Sequence, residues 1–167
     1  MISRWQIGLL VILVFGGALF LYQNSLTEER GCPPFFYTDT STDYEAILSL
    51  ESTRLDDNGV VQYDYGTKYQ NAGWQYTPYQ ISNLGIVAIN NWCATGNGAS
   101  LDIAKAQARW LIDNMKIVVH PNYHDGFGVW MYDFPNLPLH ATGPWTSGFG
   151  NAYAIILLTQ MYSLTDD

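Results

Sequence analysis

The sequence of 167 residues has the length of one globular domain, and two domains of ordinary size would not fit in it. Its formal net charge is −8 with only 7 Lys and Arg, which argues against a nucleic-acid partner because binding the phosphate backbone requires many basic residues. The 12 Tyr and 6 Trp suit sugar binding and an aromatic core equally well. Cys32 and Cys93 form no CxxC motif and predict no metal site, and a disulfide between them is compatible with the sequence without following from it.

The N-terminal region predicts a targeting or anchoring segment. An uncharged apolar run extends from Ile7 to Tyr22, and as a helix it would be about 24 Å long against a hydrocarbon core of about 30 Å. We predict a transmembrane anchor at residues 1–23; a cleaved signal peptide is the alternative, although no small-x-small cleavage site follows the run. Because Arg4 precedes the run and acidic residues follow it, the N-terminus would be cytoplasmic and the rest extracytoplasmic, or secreted if the segment is cleaved. Residues 24–40 are predicted to be a linker.

Two short elements are predicted after the linker. A helix is expected within Asp43–Leu55, where Thr42 and Glu45 have the spacing of a capping box. The turn signal Asp57-Asn58-Gly59 and the alternating pattern that follows it predict a small hairpin, or an irregular arm, over Leu55–Tyr65.

Three longer helices are predicted in the remainder of the chain. The first begins at Thr77 and Pro78, an N-cap followed by a proline that is tolerated at the first helical position, and it ends at Gly96. The second begins at Ser100, and the third extends from Ser147 to Leu164. The positions predicted to form the apolar stripes are Ile81, Leu84, Ala88 and Trp92, then Leu101, Ala104, Ala108, Leu111, Ile112 and Met115, then Ala152, Ile155, Ile156, Thr159 and Tyr162.

These helices predict a mainly α fold. Antiparallel helical hairpins stack into solenoids and α/α toroids, so residues 41–167 are expected to form an incomplete α/α toroid. A strand pair is predicted within residues 118–134, where Asp125-Gly126 is a hairpin signal in the long connection between the second and third helices. The predicted architecture is therefore a partial toroid of stacked helical hairpins with a small β-hairpin in a long loop, preceded by one transmembrane helix.

Three segments carry a resemblance to a known family. They are Tyr76–Gly85, with its proline and glutamine at the start of a helix; Asp125–Trp130, a glycine-rich turn before an aromatic strand; and Gly143–Ala152, a proline and tryptophan before a serine and small residues. Together they resemble the C-terminal domain of D-glucuronyl C5-epimerases. The last segment departs from the family pattern, because Phe149, Gly150 and Asn151 stand where the family has a small residue, glutamine and glycine. The glutamine side-chain contact is therefore lost or replaced by Asn151.

The resemblance implies a reaction and a site. C5 epimerisation of a uronate in a polysaccharide proceeds by proton abstraction and return, which needs two acid/base groups on opposite faces of the sugar and no cofactor. A tyrosine can act as one of them if a nearby cation lowers its pKa. The family's catalytic residues would follow Asp167, so no catalytic residue is assigned and this chain is expected to be inactive alone. The candidate substrate-binding residues are Tyr76, Gln80, Trp130, Tyr132, Asp133, Asn136 and Trp145.

Other chemistry-bearing residues have simpler explanations. Trp130 and Trp145 could be sugar-stacking platforms or core residues, with equal weight. His120 and His124 have helical metal-pair spacing, but Pro121 argues against a helix there, so no metal site is predicted. Ser147 is expected to be a helix cap and not a nucleophile, because no GxSxG motif surrounds it.

Three functional hypotheses follow. The first is a membrane-anchored part of a uronate epimerase, an isomerase that acts on an acidic polysaccharide. The second is a non-catalytic glycan-binding or structural protein at the membrane surface. A lyase or hydrolase is the third, although no convincing acid/base pair appears in the predicted loops. Because three helices cannot close a toroid, an exposed apolar edge would be covered by a second copy or by a missing C-terminal half.

Overall fold

The computed structural model of the protein describes residue 32 and residues 42–66, 72–119, 126–136 and 140–165. Four helices and seven short strands lie in these ranges. In chain order they are α1 (Tyr44–Leu48), β1 (Thr53–Leu55), β2 (Val61–Asp64), β3 (Trp74–Gln75), α2 (Pro78–Thr95), α3 (Gly98–Asn114), β4 (Lys116–Val119), β5 (Gly126–Val129), β6 (Met131–Tyr132), β7 (Trp145–Thr146) and α4 (Gly148–Thr165).

Helix α2 is the centre of the fold. Thr77 caps its N-terminus by accepting a hydrogen bond from the N–H of Gln80, and Gly96 ends it in the left-handed conformation at φ 75°. This confirms both predicted ends of the helix. Helices α3 and α4 both pack against α2, and strand β2 and helix α1 also contact it. The core lies around α2, with Ile81, Leu84 and Ile89 fully enclosed.

The strands form three small antiparallel sheets. Strands β1, β2 and β3 form the first, with Leu55 opposite Val61 and Tyr63 opposite Gln75, so the predicted hairpin is confirmed and gains a third strand. Strands β4 and β5 form the second, which confirms a strand pair near the predicted position but begins it at Lys116. The third sheet, β6 with β7, was not predicted.

Two side-chain amides join the helices to the strands. Gln107 on α3 is fully buried; its Oε1 accepts the N–H of Val61 at 3.0 Å, and its Nε2 donates to the carbonyl of Gly59 at 2.7 Å. Asn151 on α4 does the same for Trp130, because its Oδ1 accepts the Trp130 N–H at 3.0 Å and its Nδ2 donates to the Trp130 carbonyl at 3.1 Å. Each amide therefore occupies the place of a neighbouring strand.

A disulfide joins Cys32 to Cys93 near the end of α2, across a sequence separation of 61. The sequence left this bond open, and the folded chain brings the two Cα atoms to 6.0 Å, which is within bonding distance. Neither cysteine is free.

The predicted fold class is wrong. Instead of a mainly α stack of helical hairpins with one β-hairpin, the described residues combine three long helices and one short helix with three antiparallel sheets. The α2–α3 hairpin is present, but the segments on both sides of it pair as strands. Helix α1 is also shorter than predicted, and Asp43, not Thr42, caps it by accepting the N–H of Ala46.

The membrane prediction is also corrected. Across the described ranges, no helix has the length and apolar character needed to cross a membrane. The predicted anchor at residues 1–23 lies outside the described residues, and so does the linker at 24–40 apart from Cys32.

Candidate functional site

A concave surface lies between strand β3 and the last turns of helix α3. It consists of two adjoining cavities of 230 and 490 Å³ that share Tyr76, Trp110 and Asn114 as a common wall. We call the two together the groove. Its smaller lobe is completed by Gln75, Lys116, Met131 and Asp133, and its larger lobe by Asp56, Asn58, Val60, Ala106, Arg109 and Asp113.

Tyr76 is held from both sides. Its ring stacks on Trp110 with a centroid distance of 5.6 Å and an interplanar angle of 23°. Its hydroxyl donates to Oδ2 of Asp56 at 2.7 Å. Because Tyr76 leads into Thr77, the N-cap of α2, its backbone is anchored as well. The ring is therefore fixed in position before any ligand arrives.

Asp56 connects the groove to the β1–β2 turn. Its Oδ1 accepts the N–H groups of Asn58 at 2.9 Å and Val60 at 2.8 Å, which holds the turn, while Oδ2 accepts the Tyr76 hydroxyl. Partial burial acts to raise the pKa of Asp56, but these hydrogen bonds outweigh it and hold the pKa below the ordinary value of 3.8. Asp56 is therefore an ionised structural acceptor at neutral pH.

The pKa of Tyr76 moves in the opposite direction. Burial and the bond to the Asp56 carboxylate raise it above 10.0, because both disfavour the phenolate. Tyr76 is consequently a neutral hydrogen-bond donor at physiological pH and not a general base.

The charges of the groove are mixed. Arg109 and Asp113 line the larger lobe with Asp56, and Lys116 and Asp133 line the smaller one. Three carboxylates and two cations thus face the groove, together with the Asn114 amide that both lobes share. A ligand here meets both donors and acceptors, and no excess of positive charge.

The predicted substrate-binding residues do not lie together. Tyr76 and Asp133 line the groove. Gln80 lies in the first turn of α2, outside both lobes, and Asn136 is buried, with its backbone paired to that of Ala141.

The other three predicted residues are packed within the fold: Trp130 in the core, and Tyr132 and Trp145 in an aromatic group. Trp130 is only 4% exposed and its Nε1 donates to the Leu111 carbonyl at 2.7 Å, so it is a core residue and not a sugar platform. Trp145 stacks on Tyr132 at 4.1 Å and 13°, and its Nε1 donates to the Phe134 carbonyl at 2.7 Å. Burial raises the pKa of Tyr132 to about 12, so Tyr132 is not a base either.

Of the thirteen residues that line the groove, only Tyr76 and Asp133 were predicted as site residues. The others include Arg109, Trp110, Asn114 and Lys116. The first three lie on α3, where the hydrophilic positions of an amphipathic helix are ordinarily its solvated face. The one usable signal is Trp110, a large aromatic residue placed away from the apolar stripe of Ala104, Ala108 and Leu111.

The remaining chemistry-bearing residues of the described ranges form no metal-binding cluster. They hold no group of three His, Cys, Asp or Glu side chains that could bind a metal ion. Ser147 accepts the Gly150 N–H at 3.2 Å and caps the start of α4, as predicted. His120 and His124 lie outside the described residues.

Comparisons with protein-family models, with curated proteins and with solved structures found no match. The resemblance to glucuronyl C5-epimerases therefore stays a prediction from the three sequence segments.

Proposed function

We propose that the protein binds a neutral glycan segment in the groove without changing it chemically. The observation that carries this proposal is the stacked pair Tyr76 and Trp110, which forms an aromatic wall lined with polar side chains. Sugars have apolar C–H faces that pack on aromatic rings and hydroxyl groups that need both donors and acceptors. Asp133, Asn114 and Arg109 supply these groups around the wall.

The charge of the groove favours a neutral ligand over the acidic polysaccharide that the family resemblance implies. An acidic chain brings one carboxylate or sulfate after another, and each must find a cation. Here Arg109 and Lys116 share the groove with Asp56, Asp113 and Asp133, in a protein whose net charge is −8. The groove carboxylates would repel the anionic groups of an acidic chain, whereas sugar hydroxyl groups can hydrogen-bond to both the carboxylates and the cations.

The pKa shifts favour binding over catalysis. A tyrosine that abstracts a C5 proton needs a hydroxyl with a lowered pKa. The pKa values of Tyr76 and Tyr132 are both raised. Asp56 has its carboxylate oxygens engaged by the turn and by Tyr76, so it is a poor second base. Epimerisation remains the second candidate function, supported only by the resemblance of the three sequence segments.

The proposal is tested by titrating the protein with two defined tetrasaccharides, one neutral and one containing glucuronate, by calorimetry. Trp110→Ala should weaken binding of the neutral glycan about tenfold or more, because it removes a stacking contact that contributes about 1.5 kcal/mol to the binding free energy. Trp92→Ala is the matched control, since Trp92 packs against the core and does not line the groove. Tyr76→Phe keeps the ring and should have a smaller effect. Failure of every glycan to bind, or equal effects of the two tryptophan variants, would contradict the proposal.

Catalysis is tested separately with the glucuronate tetrasaccharide in D₂O. An epimerase that removes and returns the C5 proton introduces deuterium at C5, which nuclear magnetic resonance detects. We expect no incorporation. Deuterium at C5 would favour the epimerase function and contradict a non-catalytic role.

A further inference from the structure

Helix α4 has the composition of a helix that is covered on all sides. None of its 18 residues is charged. The same is true of α2, which is enclosed by α3 on one side and α4 on the other. Helix α3, in contrast, has an open face, and it places charges there at Asp102, Lys105, Arg109 and Asp113, all exposed. If α4 follows the same rule as α2 and α3, in which only the exposed helix carries charges, then α4 should have no open face.

Yet one face of α4 is open in the single chain. Its inner face, with Ala154, Leu157 and Met161, packs into the core. The outer face presents Ile155 at 59% exposure and Tyr162 at 64%, with Ala152 and Thr159 also exposed. Four of the five positions of the predicted apolar stripe, Ala152, Ile155, Thr159 and Tyr162, thus face outward, whereas Ile156 packs partly against the core. In a helix that is apolar all round, periodicity cannot distinguish the two faces.

The outer face is suited to packing against another helix. Ala152, Ile155, Thr159 and Tyr162 are separated by three, four and three residues, the spacing of positions a and d in a heptad. The Thr159 hydroxyl donates to the Ile155 carbonyl at 2.8 Å, so its polar group is already satisfied within α4. Ala152 is small enough to allow close approach at one end of the stripe.

We propose that this face binds the same face of a second copy of the protein, with the two α4 helices related by a two-fold axis. Each copy has a net charge of −8, so two copies repel each other across most of their surfaces. The uncharged outer face of α4 is a surface on which they can meet without that cost. A two-fold contact requires a self-complementary patch, and an uncharged a/d stripe meets this requirement. A partner that carries a strong charge would find no counter-charge on it.

The proposal is tested with the full chain by sedimentation velocity over a series of concentrations. One helix pair makes a small interface, so the dimer should dissociate on dilution. We expect Ile155→Glu to remain monomeric at concentrations where the unmodified protein is dimeric. Ile117→Glu is the matched control, because Ile117 is similarly exposed at 64% but lies on β4; it should dimerise normally. A monomer throughout for the unmodified protein, or equal effects of the two variants, would overturn the proposal.

Cross-linking provides a second readout that does not depend on losing the interface. Cys32 and Cys93 are bonded to each other, so a cysteine at position 155 would be the one free thiol. A short thiol-specific cross-linker should join two Ile155→Cys chains into a covalent dimer, and should leave Ile117→Cys chains largely separate. Equal yields from both positions would indicate random collision and would contradict the proposed contact.

Discussion

Replacing Gln107 by Leu should destabilise the protein substantially. Leu keeps the size of the side chain but leaves the N–H of Val61, which is almost fully buried, without its acceptor at 3.0 Å. The Gly59 carbonyl loses its donor at 2.7 Å, although Gly59 is only half-buried and water can partly replace that bond. Since each buried group left unpaired costs about 1–3 kcal/mol, we expect a total loss of about 2–4 kcal/mol in the free energy of unfolding.

Gln160→Leu is the matched control for this prediction. Gln160 is another buried glutamine on a helix, but its Oε1 has no hydrogen-bond partner in the described part of the chain. Removing an unpaired polar atom should be neutral or stabilising. Urea unfolding and thermal melting, followed by circular dichroism, should separate the two variants by about 5–15 °C in Tm. Equal stability of the two would refute the assignment of Gln107 as a substitute strand partner.

Three further predictions concern single features of the fold. A Cβ at Gly85 would lie 2.5 Å from a methyl group of α4, so Gly85→Ala should lower the free energy of unfolding by about 1–3 kcal/mol in chemical denaturation. Gly98→Ala is the control and should be neutral or stabilising, because a Cβ there would have no atom within 4 Å. Because the pKa of Asp56 is lowered in the folded protein, its contribution to stability is complete above the ordinary pKa of 3.8 and is lost as the pH falls through the folded-state pKa. The Tm of Asp56→Asn should therefore change less between about pH 6 and pH 3 than the Tm of the unmodified protein. An equal change in Tm for both proteins would argue against the turn contacts. Replacing both Cys32 and Cys93 by Ser opens a loop with a separation of 61 residues and should lower stability by about 4 kcal/mol in urea unfolding; no change would mean that the bond closes no constrained loop.

The long helices could be predicted from the sequence because their signals are local. Thr77 and Gly96 mark the ends of α2 through their own backbone chemistry, and the structure agrees with both. The short strands could not be predicted in the same way. Strands β3, β6 and β7 have two residues each, too few for an alternating pattern, and their pairing depends on where distant segments meet. The toroid was therefore inferred from the helices alone.

The site was predictable only in part, for a related reason. Tyr76 and Asp133 were predicted through the resemblance to a family, but the groove they line depends on Trp110, which reaches them only after α3 folds back along α2. Trp130 shows the opposite case. The sequence around Trp130 is compatible with a sugar platform or a core residue. Trp130 is a core residue because its indole N–H donates to the carbonyl of Leu111, which is 19 residues away.

Asn151 also bears on the behaviour of this protein at high concentration. Strands β5 and β6 are separated by one residue, Trp130, and without interruption they would form a single edge able to recruit a strand from another molecule. The amide of Asn151 binds both backbone groups of Trp130 and takes the positions that an incoming strand would need. A side chain from helix α4 thereby blocks edge-to-edge strand pairing at Trp130. In other proteins this protection comes from charged residues, prolines or bulges on the strand itself.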